Sequence, residues 1–283
     1  MKNIDIVNRL LLKKIYKKRP EWSHKGDYGH LLVIGGSKKY SGSPAFNALA
    51  AYRSGVDLVT VIAPKRAANI IASFSPDMIT YPLEGDYLKK SHLKEIFRLM
   101  GNVNALVIGG GLERNKETLE TVRKILENIK VPCVIDADAI YALIGHEKII
   151  KHEFVITPHA NEFFVLTGIK PEPNEQRRIE LVRNSASILG CVMILKGHVD
   201  IISNRGKSAI SKTGNPYMTV GGTGDTLAGI CGALLARGID SFDAACAACY
   251  INGMAGSLAA KKYGEGMMAS DLINEIPNII KLK

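Results

Sequence analysis

The chain has 283 residues, 46% of them hydrophobic and 23% charged, the balance of a soluble globular protein able to bury a core. Its net charge of +10 comes from 37 Lys+Arg against 27 Asp+Glu. Part of that excess lies in the first twenty residues (Lys2, Arg9, Lys13, Lys14, Lys17, Lys18, Arg19), and the rest is scattered. With aromatics at only 6%, the pattern argues against nucleic-acid binding, which favours a basic patch interleaved with aromatics, and leaves an attraction for small anions.

Residues 1–20 read as an amphipathic helix (Ile4, Ile6, Leu10, Leu11, Ile15) that packs on the body or on another subunit. They lack the apolar core of a signal peptide. No later apolar run is long enough to span a membrane.

Short apolar runs then recur, each ending in small or polar residues. Leu31–Ile34 leads into Gly35-Gly36-Ser37, Leu58–Ala63 ends at Pro64, and Ala105–Ile108 ends in Gly109-Gly110-Gly111. Cys133–Ile135 runs into Asp136-Ala137-Asp138, Phe154–Ile156 into Thr157-Pro158-His159, and Val192–Leu195 into Lys196-Gly197. Helical stretches, among them Pro44–Ser54, Lys116–Ile129 and Glu175–Leu189, lie between most of them. Continuous apolar runs alternating with helices indicate buried parallel strands, hence an α/β protein with a mostly parallel central sheet. Asp200–Ser211 reads instead as a β-hairpin turning at Asn204-Arg205-Gly206. No linker, repeat or low-complexity segment interrupts residues 1–283, which predicts a single domain.

In an open parallel sheet, ligands bind beyond the carboxyl ends of the strands. These strands deliver glycines or polar side chains to that one edge. The stretch Asn215–Gly238 matters most. It opens with turn residues, narrows to Gly221-Gly222-Thr223-Gly224-Asp225, and becomes helical with Leu227, Ile230, Leu234 and Leu235 on one face. Glycines before a helix let backbone amides approach an anion, and the helix start adds unpaired N–H groups and a positive dipole end. Asp225 there is either an N-cap or a base that takes a proton from an attacking hydroxyl.

The five cysteines (Cys133, Cys191, Cys231, Cys246, Cys249) have no scaffold spacing, which predicts a reducing cytoplasm. Cys246 and Cys249 sit in an Ala-rich helical run and read as packing residues. Walker-type, dinucleotide-fingerprint and serine-elbow motifs are absent from the sequence, as is any metal-ligand spacing, so no side chain is predicted as a metal ligand.

Five segments together resemble the ADP/ATP-dependent NAD(P)H-hydrate dehydratases: His24–Pro44 (HKGDYGHLLVIGGSKKYSGSP), Val134–Leu143 (VIDADAIYAL), Thr157–Phe163 (TPHANEF), Leu195–Gly197 (LKG) and Asn215–Gly229 (NPYMTVGGTGDTLAG). Gly266–Pro277 resembles that family's closing segment, and the likeness spans roughly residues 20 to 280. It implies a ribokinase-like three-layer α/β/α fold, with the dehydratase part present and only about twenty residues where related chains often carry an epimerase. It also implies a reaction in which a hydroxyl of NADHX or NADPHX is phosphorylated from ADP or ATP, and phosphate then leaves to restore NAD(P)H. Asp225 would be the catalytic base, also touching substrate. Lys196, Gly197, His198, Val199, Asp200, Thr223 and Gly224 would contact the nucleotide, and Ser43, Gly111 and His159 the hydrate. Magnesium bridging the nucleotide phosphates and a homo-oligomer are further implications.

The chain departs from the family pattern in three places. Gly110 and Glu113 stand where the family has Pro and Gly, putting a carboxylate near the expected hydrate pocket. His198-Val199-Asp200 follows Lys196-Gly197, and Ala160-Asn161-Glu162 replaces the usual Pro-Gly-Glu. Plainer readings stay open: His159 as a hydrogen-bonded loop residue, Lys196 as a solvated turn lysine, and at least one of Asp136 and Asp138 as a helix cap. Two other functions compete, a ribokinase-like kinase of a vitamin-precursor alcohol and a non-catalytic nucleotide sensor.

Overall fold

A computed structural model describes residues 4–281. In chain order its elements begin with β1 (Asp5–Ile6), α1 (Arg9–Ile15), β2 (His30–Ile34), α2 (Gly42–Arg53), β3 (Leu58–Pro64), α3 (Lys65–Ala72) and β4 (Ile79–Leu83). There follow α4 (Leu93–Met100), β5 (Ala105–Ile108), α5 (Lys116–Asn128), β6 (Cys133–Ile135), β7 (Phe154–Ile156), α6 (Ala160–Thr167) and α7 (Glu175–Leu189). The chain ends with β8 (Val192–Leu195), β9 (Asp200–Ser203), β10 (Ser208–Ser211), α8 (Thr223–Ala236), α9 (Ser241–Tyr263) and α10 (Ala269–Ile280).

Among the described residues the strands form one sheet in the order β1-β10-β9-β8-β7-β6-β5-β2-β3-β4. The seven from β8 to β4 are parallel throughout. Successive residues of a strand face opposite sides, so Leu31 and Val33 enter one core and Leu32 and Ile34 the other. Helices α1, α2, α3, α8, α9 and α10 cover the first face, and α4 to α7 the second. Covering both faces is why these strands read as unbroken apolar runs. This is the ribokinase-like three-layer α/β/α fold.

From β2 the chain winds outward to β4, then crosses back and winds the other way from β5 to β8. The carboxyl ends of β2 and β5 therefore diverge at a switch point, where an open α/β sheet forms its crevice.

Strands β5 to β8 and helix α7 occupy the residues that patterning predicts. The hairpin of β9 and β10 is antiparallel, its turn held by Asn204 Oδ1 accepting from the Gly206 and Lys207 amides at 3.0 and 2.8 Å. Three differences have physical causes. Strand β4 contains Pro82 and is largely solvent-facing, so it shows no apolar run; it lies at the sheet edge, where Pro is tolerated. The expected amphipathic helix shrinks to α1, preceded by β1 pairing with β10. Leu12 and Ile15 are its buried residues, while Ile6 and Leu10 are 60% and 64% exposed. Residues 1–3 of that predicted segment lie outside the described residues.

Helix α8 differs most, for it is buried on every side from Thr226 to Ala236 rather than along one stripe. Its glycines permit this. A methyl on Gly229 would come within 2.2 Å of the Asn47 carbonyl oxygen in α2, and one on Gly232 within 2.3 Å of Val107 in β5. Cys246 and Cys249 are buried in α9, and the five cysteines are unpaired. No helix among the described residues is long and apolar enough to cross a membrane.

Candidate active site

The loops after β2 and β5 touch at the switch point. The Gly36 amide donates to the Gly110 carbonyl at 2.8 Å. Gly109 has φ +143°, and a methyl on it would overlap the Asp136 carbonyl. A methyl on Gly110 would stand 2.8 Å from Ser43 Cβ and 2.9 Å from Asp225 Oδ1. Bare backbone at 109 and 110 thus lets α2, β5 and the start of α8 converge.

Helix α8 is capped by Gly222 at φ +99°, where Phe46 and Ala269 leave no room for a side chain. The first described α8 amide with a helical acceptor is that of Thr226, which bonds the Gly222 carbonyl at 3.0 Å. The amides of Thr223, Gly224 and Asp225 precede it, the unpaired group that suits an anion. Thr223 Oγ1 donates inward to the Met218 carbonyl at 2.8 Å, and Asn47 Nδ2 donates to the Asp225 carbonyl at 2.7 Å.

Asp225 is the third helical residue and makes no capping bond, which removes the N-cap reading. Burial, together with the negative charge of Asp136, pushes its carboxyl up to about 7 against the pull of the Ser43 hydroxyl and Lys196. A carboxylate tuned near neutrality is matched to general-base work.

Lys196, which follows β8, is no solvated turn residue. Its ammonium donates to Asp136 Oδ1 at 2.8 Å and lies 3.8 Å from Glu162 Oε2. Burial alone would lower its pKa, but the Asp136 and Glu162 carboxylates outweigh that and raise it. Asp136 also accepts from Thr157 Oγ1 at 2.6 Å.

Neither aspartate of the Asp136-Ala137-Asp138 turn caps a helix through its side chain, contrary to expectation. Asp138 instead accepts from the Glu113 amide at 3.0 Å and from Arg114 Nε at 2.7 Å. A side-chain cap does occur on the next helix of this edge, where His159 caps α6. Its Nδ1 accepts from the Asn161 and Glu162 amides, while Glu162 Oε2 accepts from the His159 amide at 2.8 Å.

Two cavities lie near Asp225, one lined by its chain neighbour Gly224 and the other by its partner Ser43. Lys196, Gly197, His198, Asp200, Thr223 and Gly224 line one of about 500 Å³, and His159 stands on its wall too. Ser43 and Gly111 line the other, of about 450 Å³, with Tyr40, Glu113, Arg114 and Asp138. His159 therefore sits apart from Ser43 and Gly111, the two residues grouped with it from the sequence. Val199 packs against the core rather than facing the cavity. Asp200 Oδ1 accepts from the Gly197 amide at 3.0 Å and is pushed up to about 6 by burial.

Sequence reasoning missed Asp136 and Glu162 as partners of Lys196, and Asn47 and Asn252 as braces of the α8 start. Asp136 carried a signal, since it ends β6 at the edge where Lys196 ends β8. The HKGDYG segment serves the opposite edge. Gly29, at φ +92°, abuts the Ala236 carbonyl at the far end of α8, and Asp57 accepts from the Gly26 and Tyr28 amides at 3.0 Å each.

A family model described as NAD(P)H-hydrate dehydratase matches residues 31–278, nearly all of the sheet and both cavities. The chain belongs to the NAD(P)H-hydrate dehydratase family. Relatives agree. It is 36% identical to the ADP-dependent (S)-NAD(P)H-hydrate dehydratase of Nitrosopumilus maritimus, over 96% of this chain and 95% of that one. It is 44% identical to the bifunctional NAD(P)H-hydrate repair enzyme Nnr of Pyrobaculum aerophilum, over 92% of this chain and 52% of that one. The chain thus spans about half the length of the bifunctional relatives it matches. Among solved structures, the ADP/ATP-dependent NAD(P)H-hydrate dehydratase of Bacillus subtilis, co-crystallised with ATP/Mg2+, superposes with a TM-score of 0.84 at 25% identity, covering 99% of this chain and 98% of that one.

Proposed function

We propose that this family member uses ADP or ATP to convert NADHX or NADPHX back to NAD(P)H. One observation carries the reading. Asp225, tuned to about 7, follows Gly224 on the wall of one cavity and hydrogen-bonds Ser43 on the wall of the other, within reach of a hydroxyl in one and a phosphoryl group in the other.

In this mechanism the hydrate enters beside Ser43 and Gly111, and the nucleotide beside Lys196, Gly197, His198 and Asp200, with Val199 supporting that loop from the core. Asp225 takes the proton of the ring hydroxyl while the hydroxyl oxygen bonds to the terminal phosphorus and the bond from that phosphorus to the remaining nucleotide breaks. The Thr223 and Gly224 amides receive the charge that develops on the transferred group. Departure of phosphate, with loss of a proton from the neighbouring ring carbon, restores the double bond of NAD(P)H.

Among the described residues no three His, Cys, Asp or Glu side chains gather as a metal cluster. Magnesium typically keeps waters and takes only one or two carboxylates beside substrate phosphates. Asp136 and Glu162, which meet the nucleotide cavity only through Lys196 on its wall, are the carboxylates that would hold it by way of bridging waters. Magnesium bound there with the nucleotide would neutralise phosphate charge.

The test is direct. NADHX is incubated with the protein, magnesium and either ADP or ATP, and the reduced-nicotinamide absorbance is followed. Recovery that depends on nucleotide is the expected result. Nucleotide consumption with another alcohol and no recovery would make the protein a kinase, and neither event would make it a sensor.

A further inference from the structure

Glu113 has a conformation that the fold does not explain. It adopts φ +60°, a left-handed backbone that side chains other than Gly, Asn and Asp seldom take. Glycine would relieve that strain. Its amide is held by Asp138 Oδ2, which fixes the backbone and leaves the carboxylate on the cavity wall beside Ser43 and Gly111. Oε1 lies 3.6 Å from the exposed Lys39 ammonium, while Oε2 is shut off from solvent with no hydrogen-bond partner. A strained residue carrying an unpaired buried oxygen is doubly costly to stability, and strain of this kind gathers at ligand sites.

We propose that Glu113 determines specificity in the hydrate cavity by accepting a hydrogen bond from an uncharged N–H or O–H donor of the substrate. The inference rests on the dehydratase reading and sharpens its substrate side. The two carboxylate oxygens are equivalent and exchange on rotation about the terminal bond, so the acceptor offered to the cavity is whichever oxygen is not turned inward. Asp138 lines the same cavity but its carboxylate already holds Arg114 at 2.7 Å, which leaves Glu113 as the carboxylate on this wall free to accept from a neutral donor. A reduced nicotinamide hydrate placed with its hydroxyl at Asp225 offers two such donors nearby, the carboxamide of the ring and the hydroxyls of its ribose. A glycine at this position provides neither the acceptor nor the charge.

The experiment compares wild type with Glu113→Gly and Glu113→Gln in the repair assay. In Glu113→Gly the KM for NADHX rises on the order of tenfold or more, as loss of a hydrogen bond to a charged group predicts. The KM for nucleotide and kcat stay within about twofold in the same variant, because the interaction is made equally in ground and transition states. Its melting temperature rises, because strain and an unpaired oxygen disappear together. Glu113→Gln, which keeps the shape and one acceptor, shows a smaller rise in KM. It is the variant to read if the glycine form folds poorly.

Hydrates of the reduced 3-acetylpyridine analogue, which lacks the carboxamide N–H, separate the donors. If the carboxamide is the donor, the analogue binds wild type weakly and Glu113→Gly no worse. If a ribose hydroxyl is the donor, the analogue binds wild type normally and still loses affinity in Glu113→Gly. An unchanged KM for NADHX in both variants, with wild-type repair intact, overturns the role of Glu113 alone. Absence of repair by wild type overturns the dehydratase reading and this inference with it.

Discussion

The ammonium of Lys196 and the carboxylate of Asp136 meet at 2.8 Å, joining the ends of β8 and β6 across the end of β7. With Glu162 3.8 Å away, this one cation offsets part of the charge of two carboxylates, and Lys196 also lines the cavity assigned to the nucleotide. Structure and ligand binding therefore draw on one side chain.

Lys196→Ala separates the two uses. Removing one partner of a buried pair leaves uncompensated charge, at a cost of about 3 kcal/mol. We expect a lower melting temperature together with a raised nucleotide KM. In Lys196→Ala/Asp136→Asn the melting temperature recovers in part while the KM stays high. A single variant that melts normally would show that the pair contributes nothing to folding.

Asp225→Asn tests the base. Turnover falls on the order of 10²–10⁴-fold while nucleotide affinity holds. Retention of more than about a tenth of wild-type turnover, well outside that range, removes Asp225 from the chemistry. In wild type, kcat/KM rises with pH through about 7, where Asp225 loses its proton. The stability effect has the opposite sign. With the folded pKa at about 7 and the ordinary value 3.8, the folded state binds more protons between them, so stability falls as pH rises through that window. The Asn variant should out-melt wild type above neutrality and lose that advantage towards pH 4.

Gly110→Ala probes the close approach at the switch point. Its φ is unstrained, but the added methyl meets Ser43 Cβ at 2.8 Å and Asp225 Oδ1 at 2.9 Å. Displacing a catalytic group by about 1 Å costs roughly 10²-fold in rate. We expect a severe loss of turnover with a small change in melting temperature. Full activity would mean that Asp225 works from another position.

Gly29→Ala is the matching control at the opposite edge. The methyl would lie 2.1 Å from the Ala236 carbonyl oxygen at a residue with φ +92°. Strain and overpacking of this kind cost about 1–3 kcal/mol each. Melting temperature should fall, while the KM for nucleotide in the remaining folded protein stays put. A raised KM with unchanged stability would place the HKGDYG segment at the site after all.

Local signals were enough for the alternation of strands and helices, because continuous apolar runs such as Cys133–Ile135 and Val192–Leu195 depend only on burial of both faces of a sheet. They also sufficed for a helix start suited to an anion, since Gly222 and Gly224 beside Asp225 mark close backbone approach whatever lies around them. Strand β4 escaped because an edge strand needs no apolar face on its solvent side. The whole-buried α8 escaped because periodicity reports one packed face and not the Gly229 and Gly232 contacts on others.

The sequence by itself determined the fold class, and it marked one edge of the sheet and the glycine-flanked Asp225 as the candidate site. Only the tertiary structure decided that Asp225 does not cap its helix, that Asp136 and Glu162 are the partners of Lys196, and that His159 lines a different cavity from Ser43. The physical reason is distance along the chain. Asp136 and Lys196 lie sixty residues apart, and their meeting depends on the strand order β6-β7-β8. Glu113 shows the same limit, for a glutamate in the sequence gives no sign of a left-handed backbone or of a carboxylate oxygen left without a partner.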